Sequence, residues 1–201
     1  MTGIPSSAAL SAPTAPASAP PGAPGPAQNA SRVLVAGVGN MFLRDDGFGP
    51  EVARRLASDG HLAPGVEVVD YGIRGMHLAY DLLAGVDVLV LVDAVPPDSA
   101  VPPNPVTDGD GGTSPGSLRV LRIRSEDLDG GASLDPHGMD PAAVLGKLRT
   151  LGGEVPVTYV VGCVPADVTE GIGLTPPVSA ALPGAMAAVV SLLSQHTSKQ
   201  T

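Results

Sequence analysis

The chain has 201 residues, with 20 acidic against 11 basic side chains and a formal charge of −9 at pH 7; that length suits one domain with tails, and that charge speaks against phosphate backbones as partners. Phe42, Phe48, Tyr71, Tyr80 and Tyr159 are its only aromatic residues, too few for the stacking platforms of single-stranded nucleic acid. Cys163, the single cysteine, excludes an internal disulfide and suits a reducing compartment such as the cytoplasm, and no charge-free run of about 18 apolar residues reads as a membrane span.

Residues 1–31 carry no charged side chain and repeat Pro, Ala and Ser. Such a segment cannot offset its conformational entropy by burial, and its prolines lack a backbone donor, which predicts a disordered tail. No basic n-region followed by an apolar core precedes Arg32, so it does not read as a secretory signal.

From Arg32 the texture changes. Val33, Leu34, Val35 and Ala36, ending in Gly37, predict a strand buried on both faces. Gly47–Ser58 places Phe48, Val52 and Leu56 on one helical stripe, with Arg54 and Arg55 outward. Val66, Val68 and Val69 lead to Asp70 as a second strand, followed by a helix carrying Met76, Ala79, Tyr80 and Leu83. Val86–Val92, nearly all aliphatic, predicts a third strand closing at Asp93. Residues 94–117, with six prolines and the run Asp108–Gly112, predict a mobile loop, centred on 96–117. Leu118–Arg124 alternates apolar residues with arginines, as an exposed edge strand does.

Asp140 before Pro141 is a helix-start signal, with Val144, Leu145, Leu148 and Leu151 as the buried face. Val155–Val164 predicts the last strand. Thr175-Pro176-Pro177 opens a final helix whose Val178, Ala181, Leu182, Ala185, Met186, Val189 and Leu193 follow the helical period, with Pro183 expected to kink it. Strands alternating with helices imply an α/β fold, a mostly parallel sheet with helices on both faces, over residues 32–195, with 196–201 as a C-terminal tail.

In an open parallel sheet, ligands bind beyond the carboxyl ends of the strands. Asp45 and Asp46 follow the first strand, Asp70 closes the second and Asp93 the third. Acids gathered at one edge repel each other unless a cation lies between them. His137, in the turn Asp135-Pro136-His137-Gly138, lies off any apolar stripe. Two carboxylates and an imidazole form a set that divalent Ni, Zn or Cu accepts with positions to spare; the bland alternative is solvated surface groups. His61, His77 and His196 have no such company and default to surface roles.

Gly37-Val38-Gly39-Asn40 invites a dinucleotide reading with Asp70 as the ribose-binding acid. The third glycine of that fingerprint falls at Phe42, whose bulk obstructs close helix packing. Nucleophilic catalysis finds neither a Gly-x-Ser-x-Gly elbow nor a His-Glu-x-x-His helix, and Cys163, inside an apolar strand, reads as inert packing.

Several separated stretches together resemble the hydrogenase maturation protease family, the endopeptidases that trim the C-terminal extension of the nickel-iron hydrogenase large subunit. They are Val35–Asn40 with Arg44–Pro50, the strand end Leu91-Val92-Asp93-Ala94, Pro136-His137-Gly138-Met139, and Val161–Pro165 with Gly173–Val178. The resemblance runs in family order from Arg32 to about Leu193.

It implies a three-layer αβα sandwich around a twisted, mostly parallel five-stranded sheet. It also implies a nickel site of Asp46, Asp93 and His137, which double as the candidates for catalysis in a peptidase grouped with the aspartyl type. Asn40, Asp45, Asp70 and Arg74 become candidate substrate or supporting residues. The nickel is presented by the substrate, no organic cofactor is implied, and the partner is a nickel-iron hydrogenase large-subunit precursor, with neither nucleic acid nor membrane insertion. A non-catalytic chaperone of the nickel-loaded subunit is the alternative. Two features depart from the family: Asp46 stands where Glu is common, and Asp70-Tyr71-Gly72-Ile73-Arg74-Gly75 stands where many members have Asp-Gly-Gly-Thr.

Overall fold

Runs of Val, Leu and Ala too short for helices and too apolar for a half-exposed sheet have to be buried on both sides. In the computed structural model, which describes residues 31–60, 62–96, 112–124, 128 and 141–197, they are. All six residues of β1 (Val33–Val38) are buried, as are the first five of β3 (Val88–Ala94) and six of the seven in β5 (Val157–Cys163). With β2 (Val66–Gly72) and β4 (Leu118–Ile123) they form one five-stranded sheet in the order β2-β1-β3-β5-β4. The β1–β2, β1–β3 and β3–β5 pairs are parallel and β4–β5 is antiparallel, so the sheet is mixed but mostly parallel.

Because successive strand side chains point to opposite faces, each buried strand feeds two cores. Val33 and Val35 of β1, Val88, Val90 and Val92 of β3, and Tyr159 and Val161 of β5 join one cluster with α1 (Phe48–Asp59) and α4 (Pro176–Thr197). Leu34, Ala36 and Val38, with Leu89, Leu91 and Val160, join another with α2 (Gly75–Leu82) and α3 (Pro141–Thr150). The edge strand β4 splits in the same way, Val120 to the first cluster and Leu121 to the second.

Several boundaries and faces differ from the sequence expectation. β1 runs one residue past Gly37 to Val38, and β2 continues past Asp70 to Gly72. Helix α2 buries Leu78, Ala79 and Leu82, whereas Met76, Tyr80 and Leu83 are exposed. The helix is apolar on two sides, so periodicity alone could not say which faced in. Leu151 lies past the end of α3 and is exposed. The segment before β4 is pinned at its end, where Gly116 N–H donates to the Val164 carbonyl at 2.8 Å and Val164 N–H to that of Ser117 at 3.0 Å.

Helix α4 runs unbroken through Pro183 to Thr197, two residues beyond the expected domain end. Pro183 sits on its exposed side, as does Ser179, whose carbonyl the missing donor leaves free. The same helix, with a mean hydropathy of 1.6, is long and apolar enough to cross a membrane by length and composition, which a search for uninterrupted apolar runs misses. Its Val178, Leu182, Ala185, Val189, Leu192 and Leu193 are buried in the first cluster, so one face of the helix packs on the sheet while most of its residues stay partly or fully exposed. The expected N-terminal tail through residue 30, loop residues 97–111, His61, the turn bearing His137, and residues 198–201 lie outside the described residues.

Chain order places a topological switch at the β1–β3 boundary, where one connection leads outward to β2 and the next crosses to β3. There α1 begins unusually close to the sheet. A Cβ on Gly49 would collide with the carbonyl oxygens of both Val38 and Val92, and one on Gly37 with the Gly49 carbonyl and Ala53. Gly49→Ala is expected to cost about 3 kcal/mol or more, because backbone oxygens cannot yield as side chains do. Gly146→Ala in α3, where a Cβ would meet nothing, is expected to add about 0.5–1 kcal/mol. Urea unfolding of both variants checks the opposite signs.

Candidate active site at the carboxyl end of the sheet

After β1 the chain turns at Gly39, whose φ of +127° suits glycine and whose missing Cβ admits the Asp46 carbonyl. A single 3-10 turn, Arg44–Gly47, then leads into α1. Within it Asp45 and Asp46, adjacent and chemically identical, have opposite surroundings.

Asp45 is fully buried. Its carboxylate accepts four hydrogen bonds from the loop between β5 and α4: Ala166 N–H at 2.8 Å and Asp167 N–H at 3.0 Å on Oδ2, Thr175 N–H at 2.7 Å on Oδ1, and the Thr175 hydroxyl at 2.8 Å on Oδ2. Burial on its own would push the carboxyl pKa up, but these donors, led by Thr175, outweigh it and hold the group below the ordinary aspartate range. Asp45 is therefore a structural staple, not a group that meets substrate.

The same loop is joined by backbone pairing, with Arg44 N–H to the Gly171 carbonyl at 3.1 Å, Asp45 N–H to that of Asp167 at 3.1 Å, and Gly171 N–H to that of Phe42 at 2.9 Å. Arg44 takes a positive φ of 47°, a strained conformation for a side-chain-bearing residue that its neighbours over-determine. Its Nε lies 3.2 Å from Asp167 Oδ2, an ion pair by distance but without the direction of a hydrogen bond.

Asp46 is half-buried and turned the other way. Asn40 N–H donates to its Oδ2 at 2.6 Å, and the second carboxylate oxygen keeps acceptor capacity for another partner. The Asn40 side chain in turn accepts from Phe42 N–H at 3.0 Å. These bonds also answer the dinucleotide reading. The donors that would cradle a phosphate are engaged within the chain, Asn40 N–H with Asp46 and Gly39 N–H with the Gly72 carbonyl at 3.1 Å.

Asp93 sits half-buried at the end of β3, its Oδ1 accepting from Ala94 N–H at 2.8 Å. Asp46 precedes Gly49 by three residues and Asp93 follows Val92 by one, and Gly49 is wedged against the Val92 carbonyl. The two acids thus flank one switch point, as the order of strand ends predicts.

Asp70 is exposed at the end of β2 and accepts from Gly72 N–H at 2.9 Å. Arg74 has a supporting place beside it. Its guanidinium donates to the carbonyls of Tyr71 at 3.0 Å and Asp70 at 2.5 Å, so it caps the end of β2 and is occupied by backbone. His137 lies outside the described residues, among which no group of three His, Cys, Asp or Glu side chains could hold a metal ion. His196 departs from the surface default, since its Nε2 lies 3.2 Å from the Tyr159 hydroxyl in a half-buried contact. Cys163 is buried and its thiol is pushed up to about 12, first by burial and then by the charge of Asp45, which agrees with inert packing.

No protein-family model matches the chain. It is 30% identical over 164 residues to the hydrogenase 2 maturation protease of Escherichia coli (strain K12), covering 82% of this chain and 92% of that protein. Among solved structures it resembles the hydrogenase maturating endopeptidase HybD from E. coli, with a TM-score of 0.64, 30% identity and coverage of 82% and 93% of the two chains. It also resembles a hydrogenase 2 maturation peptidase from a Thaumarchaeota archaeon, with a TM-score of 0.56, 29% identity and coverage of 82% and 99%.

Asp45→Asn keeps the size of the side chain but turns an amide N–H toward donors, and is expected to cost about 3 kcal/mol. Because the folded pKa lies below the unfolded one, this contribution is complete above the unfolded value of about 3.9 and is lost as pH falls through the folded value. Urea unfolding from pH 7 down to 3 should show wild-type stability converging on that of the variant.

Proposed function

The chain belongs to the hydrogenase maturation protease family and is a peptidase, and from that premise we propose that it removes the C-terminal extension of a nickel-iron hydrogenase large-subunit precursor after nickel insertion. Asp46, Asp93 and His137 recognise the inserted nickel, which arrives as part of the substrate. The observation that carries this reading is the placing of Asp46 and Asp93 on either side of the β1–β3 switch, where the Gly49 contact holds the turn against the strand end.

Recognition of this kind needs an incomplete ligand set, because an ion already bound by the precursor can accept only a few more donors. Asp46 suits that task. Asn40 fixes one of its oxygens and the other keeps its lone pairs, so the carboxylate is oriented before the substrate arrives. Asp93 has a comparable support in its own Ala94 N–H, and Asp45 keeps the turn seated without touching substrate. Beyond recognition, Asp46, Asp93 and His137 are the candidates for moving protons during hydrolysis. Asp70, exposed at the neighbouring strand end, is a further candidate to meet the precursor. The cytoplasm is the compartment in which a newly made precursor would be met.

Asp93→Ala and His137→Ala are each expected to abolish trimming of a nickel-loaded precursor while the thermal unfolding midpoint stays near that of the wild type. Mass spectrometry of the released C-terminal peptide, with and without inserted nickel, is the test. Normal trimming by both variants, or equal trimming of nickel-free precursor, would remove the metal-recognition account.

A further inference from the structure

A precursor that delivers its nickel to Asp46 has to cross the loop that carries this residue, and the loop presents apolar side chains to solvent. Met41 is 56% and Phe42 62% exposed, and Ile172, beside Gly171 in the bridge to Leu43, is 76% exposed. Exposed apolar residues are ordinary when scattered singly. These three sit on two loops that are tied together. Phe42 N–H is held by the Asn40 side chain at 3.0 Å, Leu43 N–H by the Asn40 carbonyl at 2.9 Å, and Gly171 N–H by the Phe42 carbonyl at 2.9 Å. A chain segment meeting them would find a surface already ordered, with little entropy left to lose.

Behind this rim lies a groove of about 280 Å³ between the start of α1 and the start of α4, walled by Met41, Ile172, Leu174 and Leu182. Gly47, the residue after Asp46, is part of its lining, so the wall of the groove begins one residue along the chain from that acid. Arg44 and Arg55 also border it, but each already faces a carboxylate, Asp167 at 3.2 Å and Glu51 at 2.7 Å. Glu51 is held down to about 2 by its hydrogen bonds from Arg54 and Arg55, so this pairing persists at any working pH. The volume is below the roughly 300–1,000 Å³ of a pocket for a drug-sized ligand. Its size and its internally balanced charge suit apolar side chains of an extended strand.

We propose that this groove and its rim hold an apolar stretch of the precursor polypeptide next to the bond that is cut, so that Phe42 and Ile172 determine which precursors are accepted. The proposal rests on the reading of the site given above. The place of Gly47 and Met41 in the groove wall, on the same turn as Asp46, argues for this occupant, since a segment that brings a bond to Asp46 passes beside them.

The test uses the full chain and the cognate nickel-loaded precursor, purified from cells that lack the protease. The Phe42→Ser/Ile172→Ser double variant is expected to raise KM on the order of tenfold with kcat within about twofold, the signature of binding shared by ground and transition states. Phe42→Leu should restore a near-normal KM. Both replaced side chains are exposed, so the unfolding midpoint should hold and loss of fold is separable from loss of docking. An unchanged KM in the double variant, with wild-type protein cutting normally, overturns the proposal and leaves the proposed function standing. Failure of the wild type to cut overturns both. If the double variant instead turns a dimer into a monomer by light scattering, with KM unchanged, the groove is covered by a second copy of this chain and the proposal falls.

Discussion

The site depends on the contact that two absent side chains permit. Gly37 on β1 and Gly49 in the first turn of α1 let the helix start against the carbonyl oxygens of Val38 and Val92, closer than any Cβ would allow. That fixes the amino end of α1 over the boundary of β1 and β3, which is where the chain reverses its direction of travel across the sheet. The order β2-β1-β3-β5-β4 puts the topological switch at this boundary, the kind of place where open sheets bind ligands. An acid three residues before Gly49 and another one residue after Val92 are thereby carried to its two sides.

A second constraint keeps the turn in place. Two like-charged neighbours, Asp45 and Asp46, would gain nothing from sharing one environment. The 3-10 turn separates them, sending Asp45 into the protein and leaving Asp46 half-buried against the Asn40 N–H. Burial of a carboxylate is costly unless every lone pair finds a donor, and the loop before α4 supplies three backbone N–H groups and one hydroxyl. The loop's shape is therefore dictated by Asp45, and the pairing of Gly171 with Phe42 and Arg44 follows from it. One buried charge orders two segments some 130 residues apart in sequence, and the strained backbone of Arg44 is tolerated inside that frame.

Much of this was legible from residue order. Strands that are nearly pure Val and Leu announced themselves, because only a sheet covered on both sides can use them, and the acids at strand ends followed from the strands. The resemblance drew on short motifs that these same turns contain. The resemblance set Asp46 apart from Asp45, but residue order does not show the buried donors that fix Asp45 or the carbonyls that Arg74 meets. Both depend on donors and acceptors brought in by tertiary folding. The buried face of α2 was hidden for a different reason: Met76, Tyr80 and Leu83 repeat at helical spacing as convincingly as Leu78, Ala79 and Leu82. Helix α4 shows the converse, since hydropathy alone gives it the length and composition of a span, whereas the structure packs one of its faces into the first cluster.

The exposure of apolar side chains on the turn that carries Asp46 fits the energetics of a peptidase that selects among protein partners. Carboxylates at the rim of an acidic chain attract a cation but discriminate poorly among proteins that carry one. Discrimination has to come from surface that only the right partner can cover. Phe42 is one of two phenylalanines in the chain; Phe48 is fully buried under β1 and β3, whereas Phe42 is held outside. Leaving an aromatic ring in water forfeits roughly 1.5–3 kcal/mol of burial. The hydrogen bonds that fix its backbone make it unable to fold inward, so that free energy becomes available only when a partner removes the ring from water.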